Sequence, residues 1–272
     1  MAMPTDIKVI DLMLSVPGED NSQWYEFMKP LLMDEESRNM FKMPAQYMFK
    51  DIPDSGKKED YIAYTVEQMD KHNIERAMLG VDDHNEIANP NNGMDEVRKM
   101  VRLHQEFGIK AITGFASGLC PQVPYDDKKW YPIYAKCVEL DIPFCPCVGV
   151  PGPRLPMAPQ KVELLDEVCW FFPELKVVMR HGAEPWEKLA WKLMLKYPNL
   201  YYMTSAFAPK HYPEEIVKFA NSRGADKVMY AGYFPMGLSL DRIFKDMPNV
   251  PFKDEVWPKF LRENARKVFK LD

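Results

Sequence analysis

The chain has 272 residues, a net charge of −5 with both signs spread along it, and five cysteines at irregular spacings. That length suits one large domain with a sizeable core, the mildly acidic balance provides no basic stripe for nucleic acid, and an odd, irregular set of cysteines reads as free thiols in a reducing compartment. Residues 1–8 lack the apolar core of a signal peptide and no segment approaches the roughly 20 apolar residues of a membrane span, so a soluble cytoplasmic protein is expected, with neither nucleic acid nor membrane as partner.

Short apolar runs with β-branched or aromatic members predict strands at 7–14, 74–81, 109–115, 142–150, 175–181, 200–204 and 227–231. Amphipathic helices lie between most of them. Met94, Val97, Val101 and Phe107 recur on one face while Glu96, Arg98, Lys99 and Arg102 take the other. Trp186, Leu189, Ala190 and Leu193 repeat the pattern, and Ile216, Val217 and Ala220 do so before a stop at Gly224. Such alternation predicts an α/β fold with a parallel sheet and helices outside, at this length a TIM-like (β/α) barrel spanning 1–272. Seven predicted strands imply a barrel that is distorted or short of one strand.

One segment breaks the rhythm. After the first strand, residues 15–60 hold no clear strand but many large side chains, among them Trp24, Tyr25, Phe27, Met28, Tyr47 and Phe49. Following a barrel strand, this insertion emerges at the carboxyl ends of the strands. It reads either as a cap over an apolar pocket, with Trp24 against a ligand, or as the small core of an inserted helical subdomain.

The most informative run is 175–186. Val177, Val178 and Met179 suit a buried strand, Gly182 a tight exit and Pro185 the first turn of a helix. His181 then stands at the carboxyl end of a strand, where parallel α/β folds bind their ligands.

Several segments carry a resemblance in their order along the chain: Asp141-Ile-Pro-Phe with Val148-Gly-Val-Pro-Gly-Pro153, then Leu175-Lys-Val-Val-Met-Arg-His-Gly182, then Tyr197-Pro-Asn-Leu-Tyr-Tyr-Met-Thr-Ser205, then Gly224-Ala-Asp-Lys-Val-Met-Tyr-Ala-Gly232, and finally Leu261-Arg-Glu-Asn-Ala-Arg-Lys-Val-Phe269. This succession, with Val9-Ile-Asp11 at the start and Trp130-Tyr-Pro-Ile-Tyr134 before the fifth family strand, resembles the amidohydrolase-related family. The branch is that of aminocarboxymuconate semialdehyde decarboxylase and the resorcylate decarboxylases. The resemblance implies a barrel enzyme with a divalent metal held by His-x-His after the first strand, histidines after the fifth and sixth, and an aspartate after the eighth. In this chain those positions correspond to Met13 and Ser15, Cys147, His181 and Tyr233. Only His181 matches. Thioether, hydroxyl and phenol groups are poor ligands for such an ion, so no metal and no other cofactor is expected. The family's third and fourth strands correspond to the single run 109–115.

The remaining chemistry rests on residues that could converge on the barrel mouth. His181 suits a general acid or base, or is a relic held by hydrogen bonds. Tyr233 could donate to a developing enolate or carboxylate, or fill a vacated site. Arg154, on the loop after the fifth family strand, and Arg180 could clamp a substrate carboxylate. Arg154 could equally make an ordinary ion pair, and strand alternation next to an inward His181 would turn Arg180 outward. Asp82, Asp83 and His84 form a polar cluster after the second strand, which reads as an acid and base pair, a displaced metal site or a solvated turn. Cys147 could face His181 as a thiolate or lie buried and inert. Met13 and Ser205 complete the expected substrate contacts, and Asp11 is expected to make structural hydrogen bonds. Two classes follow. One is a metal-independent lyase or hydrolase acting on a small cyclic or aromatic carboxylic acid; the other is a non-catalytic protein that binds a metabolite or a partner. The apolar character of 24–49 is compatible with a homodimer.

Overall fold

The computed structural model describes residues 3–40, 43–80 and 87–271. Strands β1 (Val9–Asp11), β2 (Ile74–Ala77), β3 (Ile112–Gly114), β4 (Phe144–Pro146), β5 (Val177–Met179), β6 (Leu200–Met203) and β7 (Val228–Met229) each fall inside a predicted run. All pairings are parallel. β1 pairs with β2, and β3 to β7 pair in sequence order. Each pair is joined by a crossover that contains helix, as parallel strands require.

Strand alternation sorts the side chains into two layers. Ile10, Leu12, Cys145, Val178, Met203, Met229 and Ala231 form one cluster, closed at one end by Ala265, Val268 and Phe269 of the C-terminal helix α9 (Asn264–Phe269) (the helices α1 to α8 that precede it are Glu35–Arg38, Tyr61–Lys71, Met94–Phe107, Tyr131–Leu140, Leu164–Phe171, Glu187–Lys196, Glu214–Ala220 and Leu240–Asp246). Their neighbours in sequence, Val9, Phe144, Val177, Met179, Tyr202, Val228 and Tyr230, pack outward with the helices. The first cluster is the filled interior of a barrel.

The ring closes through β1. Leu14 bridges Phe234 in parallel, beyond the end of β7, and the Asp11 side chain ties the same two segments together. Its Oδ1 accepts the backbone N–H groups of Met13 (2.9 Å) and Gly232 (2.7 Å), and its Oδ2 accepts the Tyr230 hydroxyl (3.1 Å). Gly232 is needed here for space, since a Cβ would stand 2.5 Å from Asp11 Oδ2. On the other side of β2 the ring is incomplete: a single bridge from Ile87 to Thr113 stands where a further strand would lie. The expected shortage of one strand thus falls between β2 and β3 among the described residues.

Helix α3 departs from its predicted face. Val97 and Met100 are buried, but so is Glu96, which accepts from Asn92 at 2.9 Å, whereas Met94 and Phe107 are exposed. Likewise α6 starts at Glu187, so Pro185 lies in the turn before the helix rather than in its first turn. The segment after β1 folds as a 3-10 helix (Ser22–Leu31), the single turn α1 and a short 3-10 turn (Gln46–Met48). Met28 and Leu32 pack with Phe115, Cys147 and Leu155 at the carboxyl ends of the strands. No helix among the described residues is long and apolar enough to cross a membrane.

Burial pushes the Asp11 carboxyl up to about 6, against the lowering effect of its three hydrogen bonds. The folded state therefore binds a proton that the unfolded chain, titrating near 3.8, has released. Stability from this group is full below pH 4 and falls as pH rises through about 6, by up to roughly 3 kcal/mol. Asp11→Asn preserves the two accepted N–H bonds and should flatten the Tm-against-pH profile in that window, while Gly232→Ala should lower Tm at every pH; both are read by thermal unfolding between pH 4 and 8.

Candidate active site

Alternation along β5 places Arg180 on the same side as Val178, facing the barrel interior, and Arg180 is 8% exposed. This corrects the expectation that Arg180 points outward. Its Nη2 donates to Met13 Sδ at 3.0 Å. The alternation then fails at the next residue, because His181 (φ 64°), Gly182 (φ 85°) and Ala183 (φ 61°) all adopt left-handed backbone angles. Such angles cost about 1 kcal/mol or more for residues with a Cβ and mark sites where the surrounding structure holds the chain in place. A Cβ on Gly182 would come within 2.3 Å of the Phe207 ring. The turn brings His181 to the mouth as well, so two successive residues share one site.

Ser205, expected to touch substrate, is instead fully buried behind His181. Its Oγ accepts the His181 backbone N–H at 3.1 Å and lies 3.1 Å from His181 Nδ1. With the oxygen already accepting, the hydroxyl hydrogen is best used toward Nδ1, which leaves the imidazole proton on Nε2. Burial, and next the Arg180 charge, hold the His181 pKa well below the ordinary histidine range, only partly opposed by Ser205. The ring is neutral at physiological pH.

The His181 ring meets Tyr233 edge-on, with centroids 5.7 Å apart. Burial raises the Tyr233 phenol to about 12, Cys147 adds to the rise and Arg180 opposes it, so it stays a neutral donor. Phe49, from the inserted segment, stacks on Tyr233 at 5.7 Å. Nothing in the spacing of the inserted segment's aromatics singled out Phe49. Cys147 is buried with Met28 and Leu32, and burial raises its pKa despite the Arg180 charge; that environment favours a thiol and corrects the thiolate alternative.

The other expected residues stand apart. Arg154 Nη1 is paired with Asp34 (2.8 Å) and Glu36 (2.9 Å), and its guanidinium lies over the Tyr47 ring. It fastens the inserted segment to the loop after β4, as in the ion-pair alternative. Trp24 lies edge-on to Tyr25 in the first 3-10 helix. Asp83 and His84, with Asp82, fall outside the described residues. A cavity of about 530 Å³ opens beside Arg180, Met13 and Ser15 and extends past Ile87 and Thr113 through the gap between β2 and β3. His181, Tyr233 and Cys147 do not line it.

The family model described as Amidohydrolase matches residues 59–271. The chain belongs to the amidohydrolase family. No curated protein matches it. Among solved structures, the TIM-barrel protein Bb4693 of Bordetella bronchiseptica is similar at 21% identity and a TM-score of 0.72, over 97% of this chain and 99% of the other. The 5-carboxyvanillate decarboxylase LigW of Sphingomonas paucimobilis is similar at 12% identity and a TM-score of 0.68, over 98% and 100%. A dihydroxybenzoic acid decarboxylase of Polaromonas sp. JS666, solved with manganese and 2-nitroresorcinol, is similar at 16% identity and a TM-score of 0.62, over 97% of each chain. At these identities the likeness establishes the TIM-like barrel expected from the sequence. Among the described residues of this amidohydrolase-family chain, no group of three or more His, Cys, Asp or Glu side chains is placed to hold a metal ion.

Nitrogen-15 NMR of the histidine rings should find His181 neutral, with its proton on Nε2, down to pH values well below 6.5. Arg180→Met should move its titration upward by removing the neighbouring charge, but not to the ordinary value, because burial is the larger cause. Ser205→Ala should mix the two tautomers; an unchanged ring spectrum in that variant would remove Ser205 as the group that sets the proton.

Proposed function

We propose that this amidohydrolase-family protein is a lyase that acts on a small cyclic or aromatic carboxylic acid, without a divalent metal, and that His181 moves the proton. The observation that carries this reading is a neutral imidazole braced by Ser205 beside a neutral phenol and a guanidinium at a barrel mouth. The decarboxylases among its structural neighbours agree with the reaction class, and the Polaromonas enzyme was solved with an aromatic inhibitor.

Decarboxylation, hydration and retro-aldol cleavage all place a carbanion or enolate next to a group that must take and return a proton. The neutral His181 ring carries its proton on Nε2, and a further proton drawn from water enters at Nδ1 while the Ser205 hydroxyl turns so that its oxygen accepts it. Once protonated, the imidazolium is opposed by burial and by Arg180, and it gives the proton up readily to carbon. In decarboxylation the carbon–carbon bond breaks, the electron pair stays on the substrate carbon, carbon dioxide leaves and the imidazolium proton fills the vacated position. Tyr233 is the donor for an oxygen on which charge develops. The segment 15–60, through Phe49 on Tyr233 and Met28 and Leu32 over Cys147, serves as the cap that keeps water from the anion.

The divalent metal held by a neighbour such as the Polaromonas enzyme finds a poor donor set here. A thioether already in contact with a guanidinium, a protonated thiol and a neutral phenol supply no anionic ligand. Incubation with a panel of hydroxybenzoates and cyclic carboxylates, read by carbon dioxide release and ring absorbance, should show turnover that survives exhaustive dialysis against a chelator. His181→Asn should lower kcat by about 10²- to 10⁴-fold. Turnover that vanishes with the chelator and returns with manganese would remove the metal-free reading, and carboxylate binding without any turnover would favour the binding-protein class.

A further inference from the structure

We infer that Arg180 is a built-in cation at the centre of the barrel mouth, taking the place of a metal ion, and that it recognises a ligand carboxylate directly. This deepens the substrate class proposed above and rests on it. Three observations converge on the guanidinium. First, it is surrounded by groups from different strand ends: Met13 after β1 touches it, and Cys147 after β4 and Tyr233 after β7 both feel its charge. These are the positions from which a barrel would hold an ion at its mouth, and the charge at that point is supplied by a side chain instead.

Second, no anion among the described residues pairs with the cation. Among the described residues Arg180 makes no ion pair, and its one side-chain hydrogen bond goes to a thioether sulfur, a weak acceptor, although a guanidinium carries five N–H donors. Every other arginine with a described ion pair is more exposed at its side chain than Arg180 is as a residue: Arg98, Arg154 and Arg262 are 73%, 37% and 26% exposed. A buried charge without a partner is costly to fold around, and such a group is retained where a ligand supplies the missing anion. Third, the 530 Å³ cavity opens on Arg180 beside Met13 and Ser15, and its walls combine apolar Leu14, Ile87 and Met100 with charged Glu96 and Lys99. A volume of that size accepts one small ring compound. The planar fork of a guanidinium matches a carboxylate in a two-point contact, so the ligand class is a small ring monocarboxylate whose carboxylate sits on Arg180.

The test uses calorimetric binding of benzoate, 2-hydroxybenzoate and cyclohexanecarboxylate, with benzamide as the uncharged shape control. The unaltered protein and Arg180→Met and Arg180→Lys are compared in chelator and again with manganese added. The unaltered protein should bind at least one carboxylate at least tenfold more tightly than benzamide, equally in chelator and in manganese. Arg180→Met should lose that binding, and Arg180→Lys should retain part of it. Without ligand, Arg180→Met should also have a higher Tm than the unaltered protein, because it removes an unpaired buried charge at nearly the same volume. The inference is overturned if no carboxylate binds the unaltered protein, if binding survives in Arg180→Met or requires manganese, or if Arg180→Met lowers Tm, which would mean that the guanidinium is paired within the chain. Binding through Arg180 with no turnover would leave this site standing and remove the lyase reading; metal-dependent turnover with metal-dependent binding would overturn this site and the metal-free part of that reading, and leave only the lyase chemistry.

Discussion

The carboxylate of Asp11 holds together the two segments on which the barrel's shape depends. Seven strands of two to four residues supply few ladder bonds, and between β1 and the chain beyond β7 one bridge would have to close the ring. Asp11 adds two hydrogen bonds across that seam, from the Gly232 N–H and the Tyr230 hydroxyl, with a local one from the Met13 N–H, and does so fully buried. Its register fixes which residues of β1 face inward, and with them the position of Met13. The opposite seam, between β2 and β3, has no comparable tie among the described residues, and a cavity runs through it. Among the described residues the barrel is closed where it is stapled and open between β2 and β3, and the open side leads to the mouth.

At the mouth, two successive residues come together because the backbone leaves its strand geometry between them. Arg180 continues the inward alternation of β5, and the left-handed turn at 181–183 rotates His181 into the same space. Their proximity has an electrostatic consequence: the guanidinium works with burial to keep the imidazole neutral. Ser205 uses one oxygen to bind both the backbone and the ring of His181, so the strained turn and the ring orientation are set by the same contact. The inserted segment closes over this group through Phe49 and is fastened at its far side by Arg154.

Much of this was legible in the sequence. The strand positions follow from short apolar runs whose character does not depend on partners, and family membership follows from the order of motifs, each of which carries local backbone requirements. His181 at a strand end is readable from Val177-Val-Met followed by a glycine exit. The helix faces were less so: Glu96 is buried because Asn92 satisfies it, a local hydrogen bond that hydrophobic periodicity does not register.

Sequence by itself determined the barrel class, the seven strands and the presence of His181 at a carboxyl end, because apolar periodicity and turn residues act over a few neighbours. Only the tertiary structure decided that Arg180 faces inward, that Ser205 stands behind His181 and that Arg154 is spent on Asp34 and Glu36. Each of those outcomes depends on contacts between residues 24 to 167 positions apart. The direction of Arg180 turns on whether alternation breaks before or after it, and that is settled by the Phe207 ring against Gly182 and by the Ser205 hydroxyl, neither of which is adjacent in the chain.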